Sequence, residues 1–415
     1  MKNSLENIEK ILIFLVFLSF PFMDARTSVF GVPFYLPEAL VLSALAIHGV
    51  RFLKKNVLPR RIPTAVAPAS ALMLLGAVSS MVVNGTDRDA LGAIKSWFLF
   101  PMLFSWLVFK SGFSERDARR AVWGWFFGVA VIAFSTLIIP SLSTETYDER
   151  LRSIFPSPNH FGFFLEYGAI LGLGLVIFLK DRKDILFLLV LSEAAIVSAL
   201  LLTRSDGASL SFAVGSAVVL VSALVPSGIS KKILGIGSFL VIFSLVGAFI
   251  TVDRDSLGSG EVRSPLASRV MIWNASSYMI VEHPIFGIGP RNFQEEYLAL
   301  QPEFPRYLEW AVPHPHNIML SFWVFTGLTG FLGLLILLGH LLRNILSAVL
   351  SGSPGATRIF PSVLLGLLVV FLVHGLVDTP YFRNDLAYAF WAIVAFILIA
   401  TDKKSAEAPK RLYEP

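Results

Sequence analysis

Residues 316–341 read HNIMLSFWVFTGLTGFLGLLILLGHL and contain no lysine, arginine, aspartate or glutamate. A run of about 20 apolar residues is long enough to cross a bilayer as one helix, so this stretch predicts a membrane-spanning helix. The whole chain has the same character, since 55% of its 415 residues are hydrophobic and only 15% are charged. Its mean hydropathy of +0.71 is too high for a soluble globular protein. We therefore predict an all-α polytopic membrane protein.

About twelve stretches of the chain are long and apolar enough to be transmembrane helices. The predicted spans are residues 10–24, 35–53, 64–83, 96–109, 121–140, 160–179, 185–203, 208–225, 233–251, 316–341, 359–377 and 385–401.

The orientation of these helices follows from their basic residues, because lysine and arginine are enriched in cytoplasmic loops. If the N-terminus is cytoplasmic, most of the 34 lysines and arginines, and every lysine except Lys95, fall on that side. Both termini are therefore predicted to be cytoplasmic. The start of the 316–341 helix is predicted to face outward.

Two regions on the predicted outward side lack long apolar stretches, residues 141–159 and 253–315. The second is too long for an ordinary connection, and its many aromatic residues argue against disorder. We expect a folded cap with an amphipathic helix over residues 269–281, Trp273 and Ile280 facing the lipid interface, and a second short helix near 291–300. The predicted organisation is transmembrane helices 1–9 in residues 1–251, a periplasmic cap loop in 252–315, transmembrane helices 10–12 in 316–401 and a cytoplasmic tail in 402–415.

Cysteine chemistry is excluded, because the chain contains no cysteine. There is therefore no disulfide, no thiolate nucleophile and no cysteine-bound metal. We predict that the protein needs neither a metal nor another cofactor. If a metal were required, the outward carboxylates of Asp253, Asp255 and Glu261 are the candidate ligands.

Two histidines precede the 316–341 helix in the sequence Pro313-His314-Pro315-His316-Asn317. Pro315 disfavours helical geometry at His314 and suits the first position of a helix, which predicts that His316 lies in the opening turn. The positive end of the helix dipole there would disfavour an imidazolium ion. His316 is therefore the predicted general base, the group that takes a proton from a reacting hydroxyl.

Four short motifs follow one another along the predicted outward side. The most distinctive is His316-Asn317 followed by nine residues, Gly327, two residues and Gly330. The other motifs are Arg152 to Asn159, Leu202 to Gly207, and Arg269-x3-Trp273 continuing through Pro284 to Gly289. Together they resemble the O-antigen ligase and polymerase superfamily, and the hydropathy profile and the large outward loop fit as well.

This resemblance implies an inverting, metal-independent glycosyltransferase with a GT-C-like fold in the bacterial inner membrane and an active site on the periplasmic face. Members of the superfamily take a glycan from undecaprenyl diphosphate. The ligases among them attach O-antigen to a sugar of the lipid A core, and this step of lipopolysaccharide biosynthesis is the predicted activity. The predicted partners are the lipid-linked glycan, the lipid A core and membrane lipids, with no role for nucleic acid.

A diphosphate leaving group must be neutralised as the glycosidic bond breaks. Arginine suits this task because its planar guanidinium binds phosphate oxygens bidentately and stays charged. We predict that Arg204 and Arg269 bind the diphosphate; the family's serine before the first arginine is Thr203 here, which leaves the guanidinium in place. Supporting roles are predicted for His314, Asn317, Arg152, Arg291 and Asn159.

Two alternatives stay open at the level of sequence. The protein could be an O-antigen polymerase of the same superfamily, which transfers to another lipid-linked repeat unit. It could instead be a transporter or lipid flippase, in which Glu166, Glu193 and His374 would be coupling residues, because ionisable side chains within membrane spans are rare. His374 and Asp378 are four residues apart and share a helix face, which fits either support of the site or a structural pair.

Overall fold

The computed structural model describes residues 2–22, 26–29, 32–54, 60, 62–86, 88–146, 148–224, 265–300, 312–352 and 356–402. These residues form an all-α bundle with one small β-hairpin, so the predicted fold class is confirmed. The hairpin pairs β1 (Arg26–Val29) with β2 (Val32–Tyr35) in antiparallel register.

The helices are numbered in chain order. They are α1 (Lys2–Leu18), α2 (Leu36–Leu53), α3 (Val66–Asn84), α4 (Arg88–Ile94), α5 (Phe100–Lys110), α6 (Glu115–Ile138), α7 (Pro158–Phe178), α8 (Lys183–Leu202), α9 (Asp206–Leu224), α10 (Pro265–Glu282), α11 (Phe293–Ala299), α12 (Ile318–Ser351), α13 (Ala356–His374) and α14 (Asn384–Thr401). A π-helical segment, Lys95–Leu99, joins α4 to α5.

Ten helices in the described part of the chain are long and apolar enough to cross a membrane. They correspond to ten of the predicted spans, with α4, the π-helical segment and α5 together forming one of them. The first predicted span, residues 10–24, overlaps α1 only over residues 10–18. Helix α1 ends at Leu18, ahead of Pro21, because proline lacks the N–H that a helix requires. The span predicted at 233–251 lies outside the described residues.

The centre of the bundle is formed by α7, α13 and α14, most of whose residues are buried, whereas α8 is mostly exposed on the outside. The most extensive packing joins α12 to α3 and α13 to α9. Glycines allow the first of these approaches, since a Cβ atom added at Gly76 would collide with the backbone of Gly330. Close approach is the ordinary role of small residues between membrane helices.

Helix α12 is interrupted at Gly327, where φ is 63° and ψ is −172°. The predicted uninterrupted helix is therefore wrong at this point, and the reason is a contact with the segment after α10. A Cβ atom at Gly327 would collide with the carbonyl oxygen of Ile285, and Leu328 N donates to that same oxygen at 3.1 Å. The break allows the backbone of the 283–292 segment to form hydrogen bonds with the backbone of α12.

Several connecting segments meet at one end of the bundle, which we call the site end. Ile318 N donates to Gly375 O at 2.7 Å, and Leu151 N donates to Leu202 O at 3.0 Å. The connections that meet there are residues 139–146, 148–157, 203–205, 283–292, 312–317 and 375–383. At the other end of the helices, Arg51 donates to Ser111 O at 3.0 Å. The site end is therefore the candidate functional region, because the sequence motifs come together there.

Candidate active site

His316 lies immediately before α12 rather than within it. Helix α12 begins at Ile318 with Asn317 as its N-cap, and the Asn317 side-chain oxygen accepts from Met319 N at 3.0 Å and Leu320 N at 3.1 Å. The prediction that His316 occupies the opening turn is therefore wrong. Asparagine is among the best N-cap residues, and it sets the start of the helix three residues later than Pro315 suggests.

The His316 ring contacts a buried carboxylate. His316 Nδ1 lies 2.9 Å from Asp378 Oδ1, and only 3% of the Asp378 side chain is exposed. Thr379 N donates to Oδ1 at 2.8 Å, and the Asn159 amide donates to Oδ2 at 3.0 Å. Burial alone would raise the pKa of Asp378, but its interaction with His316, followed by those with His314 and His374, holds that pKa well below its ordinary value. Asp378 is therefore ionised at neutral pH.

The ionised carboxylate determines which ring nitrogen of His316 is free. A carboxylate can only accept hydrogen bonds, so His316 Nδ1 must carry the proton in its contact with Asp378. In a neutral imidazole the other nitrogen, Nε2, then keeps its lone pair. The arrangement leaves Nε2 of His316 able to take a proton from a substrate.

Asn159 connects this pair to the loop between α6 and α7. Its side-chain oxygen accepts from Arg150 Nη2 at 2.7 Å, and its amide nitrogen donates to Asp378. Arg150 is held in turn by Thr203 O, which accepts from Nε at 3.0 Å. Sequence reasoning missed Arg150 and chose Arg152 from the same loop, whereas Arg152 donates to Phe155 O at 3.3 Å. Only the folded loop distinguishes these two arginines.

Helix α10 packs beside His316. The indole N–H of Trp273 donates to His316 O at 3.1 Å, and Ile280 packs against the buried core. Both side chains therefore contact the rest of the protein, and their orientation toward the lipid interface stays a prediction. Arg269 lies one helical turn before Trp273 and so shares its face of α10.

Arg204 occupies a different position at the site end. Its Nη1 donates to Asp148 O at 3.4 Å, its Nη2 lies 4.0 Å from Glu149, and 61% of its side chain is exposed. It lines a cavity of about 320 Å³ together with Glu145 and Glu149. Among the described residues no contact joins Arg204 to His316. Arg204 is therefore not brought into contact with the predicted base.

His314 stands next to His316, with the two ring centroids 4.4 Å apart and the rings nearly perpendicular. Its Nδ1 is buried and has no hydrogen-bond partner in the described part of the structure. Burial, followed by the neighbouring His316, lowers the pKa of His314 to about 3. The ring is therefore neutral at physiological pH, and it lines a second cavity of about 360 Å³.

The same side chains are close enough to hold a metal ion. One ligand atom each from His314, His316 and Asp378 lies within 4.8 Å of the others. Imidazole and carboxylate suit zinc and related transition metals. A metal bound there would compete with a substrate proton for His316, so a metal site and a free base are alternative uses of this cluster.

Strained backbone is concentrated around these residues. In the described part of the chain the non-glycine residues with positive φ are Glu149, Ser153, Arg204, Arg291 and His316. All lie in connections of the site end, and three of them are candidates from the sequence. Left-handed geometry costs about 1–3 kcal/mol at such residues and is often retained where a side chain must be aimed for function. The positive φ angles therefore indicate a functional region at the site end, independently of the side-chain contacts.

The ionisable side chains within the membrane spans are arranged differently. His374 Nδ1 lies 2.9 Å from Glu166 Oε2, both side chains are at most 1% exposed, and the Ser211 hydroxyl donates to the same carboxylate. Glu193 has one buried carboxyl oxygen without a hydrogen-bond partner among the described residues. Glu166 and His374 thus form a closed pair, whereas Asp378, four residues after His374, contacts His316.

Comparison with known proteins finds one family. Residues 187–335, a little over a third of the chain, match the family model described as O-Antigen ligase. The matched part runs from α8 into α12 and includes Arg204, Arg269 and His316. No curated protein matches the chain. The family implies a glycosyltransferase-like enzyme of O-antigen processing, and the helices make the chain a multi-pass membrane protein. Over residues 187–335 the chain therefore matches the O-antigen ligase family, which supports the predicted O-antigen ligase and polymerase superfamily without resolving ligase from polymerase.

Proposed function

We propose that the protein is an inverting, metal-independent glycosyltransferase that moves a glycan from undecaprenyl diphosphate to a sugar of the lipid A core. The family match supports O-antigen ligase or polymerase activity in general. The observation that carries the proposed mechanism is the contact between His316 Nδ1 and the buried Asp378 carboxylate at 2.9 Å. This contact fixes the ring and leaves Nε2 free, as a general base requires.

The proposed reaction is a single displacement. The acceptor oxygen attacks the anomeric carbon of the donor sugar and forms the new glycosidic bond. As the bond to the diphosphate breaks, its electron pair leaves with the undecaprenyl diphosphate. The acceptor proton passes to Nε2 of His316, while Asp378 stabilises the resulting imidazolium. Attack from the side opposite the leaving group inverts the anomeric configuration.

Arg204 and Arg269 remain the proposed diphosphate ligands. Among the described residues, the exposed side chain of Arg204 is held only by Asp148 O at 3.4 Å and Glu149 at 4.0 Å, so a diphosphate can displace these weak contacts. Arg269 lies one helical turn before Trp273 on α10, and the Trp273 indole donates to His316 O. Because the leaving group gains charge as the bond breaks, both guanidinium groups bind the transition state more strongly than the ground state.

We also propose the cellular arrangement that this reaction requires. The site end faces the periplasm of a bacterial inner membrane, both termini are cytoplasmic, and the described residues 265–300 and 312–315 belong to a cap over the site. Two observations support the cap: α10 and α11 lie in this region, and Asn84 Nδ2 of α3 donates to Gly287 O at 3.0 Å. The region is thus folded into helices, and the hydrogen bond from Asn84 attaches it to the bundle.

The glycans of a deletion strain test the proposed activity. A ligase predicts a lipid A core without O-antigen and an accumulation of long lipid-linked chains. A core that carries a single repeat unit would instead identify a polymerase. Complementation with Glu166→Gln should restore normal glycans if the protein is a transferase, provided the variant is inserted at the wild-type level. Failure of that variant together with normal function of His316→Ala would favour a transporter.

A further inference from the structure

A cavity of about 360 Å³ lies beside His314 at the site end. Its size falls within the range of about 300–1,000 Å³ typical of small-molecule sites. His314 is part of its wall, and the His314 ring centroid is 4.4 Å from that of His316. Its lining includes four aromatic residues, Tyr35, Trp97, Phe325 and Phe382, and two basic residues, Arg291 and Arg383.

We propose that this cavity binds a sugar ring that carries a negative charge, a carboxylate or a phosphate, next to the reacting centre. The inference rests on the proposed transferase function and adds the class of sugar that the enzyme selects.

The charge of the lining supports an anionic ligand. Arg291 lies 5.5 Å from the centroid of the Trp97 ring and makes no ion pair with any described residue. Arg383 donates to Asp385 at 2.7 Å, and its Nη1 is 3.2 Å from His160 Nδ1. No aspartate or glutamate is among the described residues that line the cavity. Arg291 is therefore the cation available to a ligand, because Arg383 already has a carboxylate partner.

The shape of the wall supports a ring rather than a bare phosphate group. Phe382 packs edge-on against Trp97 with 5.7 Å between centroids and against Phe325 with 4.7 Å. These packed aromatic rings form a rigid apolar surface, and such surfaces suit the apolar face of a sugar. A diphosphate has no apolar face to place there. Arg291 itself has φ of 80°, a strained backbone conformation of the kind often retained at functional sites.

The position of the cavity separates it from the proposed diphosphate ligand Arg204. That residue lines the other cavity, of about 320 Å³, together with Glu145 and Glu149. A sugar bound beside His314 would bring a hydroxyl or an anomeric carbon close to His316.

The test compares binding of glucuronic acid and of glucose to the purified full-length protein in lipid nanodiscs, by saturation-transfer NMR titration. The two sugars differ in charge at one position. The wild type should bind glucuronate at least about tenfold more tightly than glucose, as expected for a charge-assisted hydrogen bond. Arg291→Gln should remove most of this preference, and Arg291→Lys should retain part of it because the charge remains.

Inorganic pyrophosphate and one control variant complete the design. Pyrophosphate binding should be the same in wild type and Arg291→Gln, and Arg182→Gln, at an exposed arginine paired with Asp184, should keep the glucuronate preference. Equal binding of the two sugars to the wild type would overturn the proposal. Equal loss of pyrophosphate and glucuronate binding in Arg291→Gln would overturn it too, because the cavity would then hold the diphosphate.

Failure of the proposed function gives a different result. Absence of transfer by a wild-type protein that still prefers glucuronate would contradict the transferase mechanism and leave the anionic-sugar site intact. Normal transfer without any preference would contradict only the sugar site.

Discussion

His316 and Asp378 are 62 residues apart in the chain, and their side chains are joined by a contact of 2.9 Å at the site end. The histidine precedes α12 and the aspartate follows α13, so the packing of these two helices places them together. Hydrogen bonds from Asn159 and from the backbone of Thr379 fix the carboxylate. The pair is thus positioned from three separate parts of the chain.

The first prediction concerns Asp378. Asp378→Asn removes the charge that fixes the His316 tautomer, so kcat should fall strongly while the donor KM changes little. The corresponding change in a serine protease triad costs about 10⁴-fold in kcat, and we expect between about tenfold and that value here. Steady-state kinetics with purified protein measure the two constants separately. A rise in donor KM at unchanged kcat would place Asp378 in substrate binding instead.

The second prediction concerns stability at low pH. The pKa of Asp378 is lowered in the folded protein from its ordinary value of 3.8, so its ionised form contributes stability that is fully present above that value. This contribution is lost as the pH falls through the lowered pKa. The difference in unfolding temperature between wild type and Asp378→Asn should therefore be constant from pH 7 to 5 and shrink below about pH 4. Asp184→Asn, at an exposed position, is the control and should show a small difference at every pH. A difference between wild type and Asp378→Asn that grows as the pH falls would contradict the assigned charge.

The spans were predictable because hydrophobicity and length alone define them, and ten of the predicted stretches are helices of sufficient length. The start of α12 was predictable in principle as well. Asn317 directly precedes an apolar run, which is an N-cap signal, and it outweighs the preference of Pro315 for the first helical turn. Pro315 alone favours an earlier start, which would place His316 inside the helix.

The partners of His316 were not predictable in the same way. Asn159 and Asp378 are 219 residues apart, and no local pattern relates them. Arg150 and Arg152 look alike in sequence, but only the fold of the loop gives Arg150 its contact with Asn159. Gly287 and Gly327 were both noted within motifs, yet the break in α12 depends on the two segments meeting. Such long-range contacts follow from helix packing.

The third prediction concerns metal ions. Transfer should continue in excess EDTA, because the proposed base is His316 with a free nitrogen rather than a metal-bound group. Activity of purified protein before and after chelation measures this. Loss of transfer that is restored by Mg²⁺ or Mn²⁺ would point to carboxylates such as Asp253, Asp255 and Glu261, which lie outside the described residues. Loss restored only by Zn²⁺ would point to His314, His316 and Asp378.

The fourth prediction distinguishes the effect of the arginine charge from that of the guanidinium geometry in binding the diphosphate. Arg204→Lys and Arg269→Lys keep the charge but lose the bidentate guanidinium, so each should lower kcat and raise donor KM, with a combined loss of about tenfold or more in kcat/KM. The effect on kcat arises because the leaving group gains charge in the transition state. Arg182→Lys is the matched control and should behave as wild type. Normal turnover in both site variants would exclude the proposed arginine pair.

The most direct measurement is transfer by purified His316→Ala from a defined undecaprenyl-diphosphate glycan to a lipid A core acceptor. Removal of a general base predicts a loss of about 10²–10⁴-fold in kcat, with donor binding and membrane insertion close to those of wild type. His283→Ala changes an exposed histidine at the end of α10 and should transfer at the wild-type rate. Near-normal turnover by correctly folded His316→Ala would contradict the proposed mechanism.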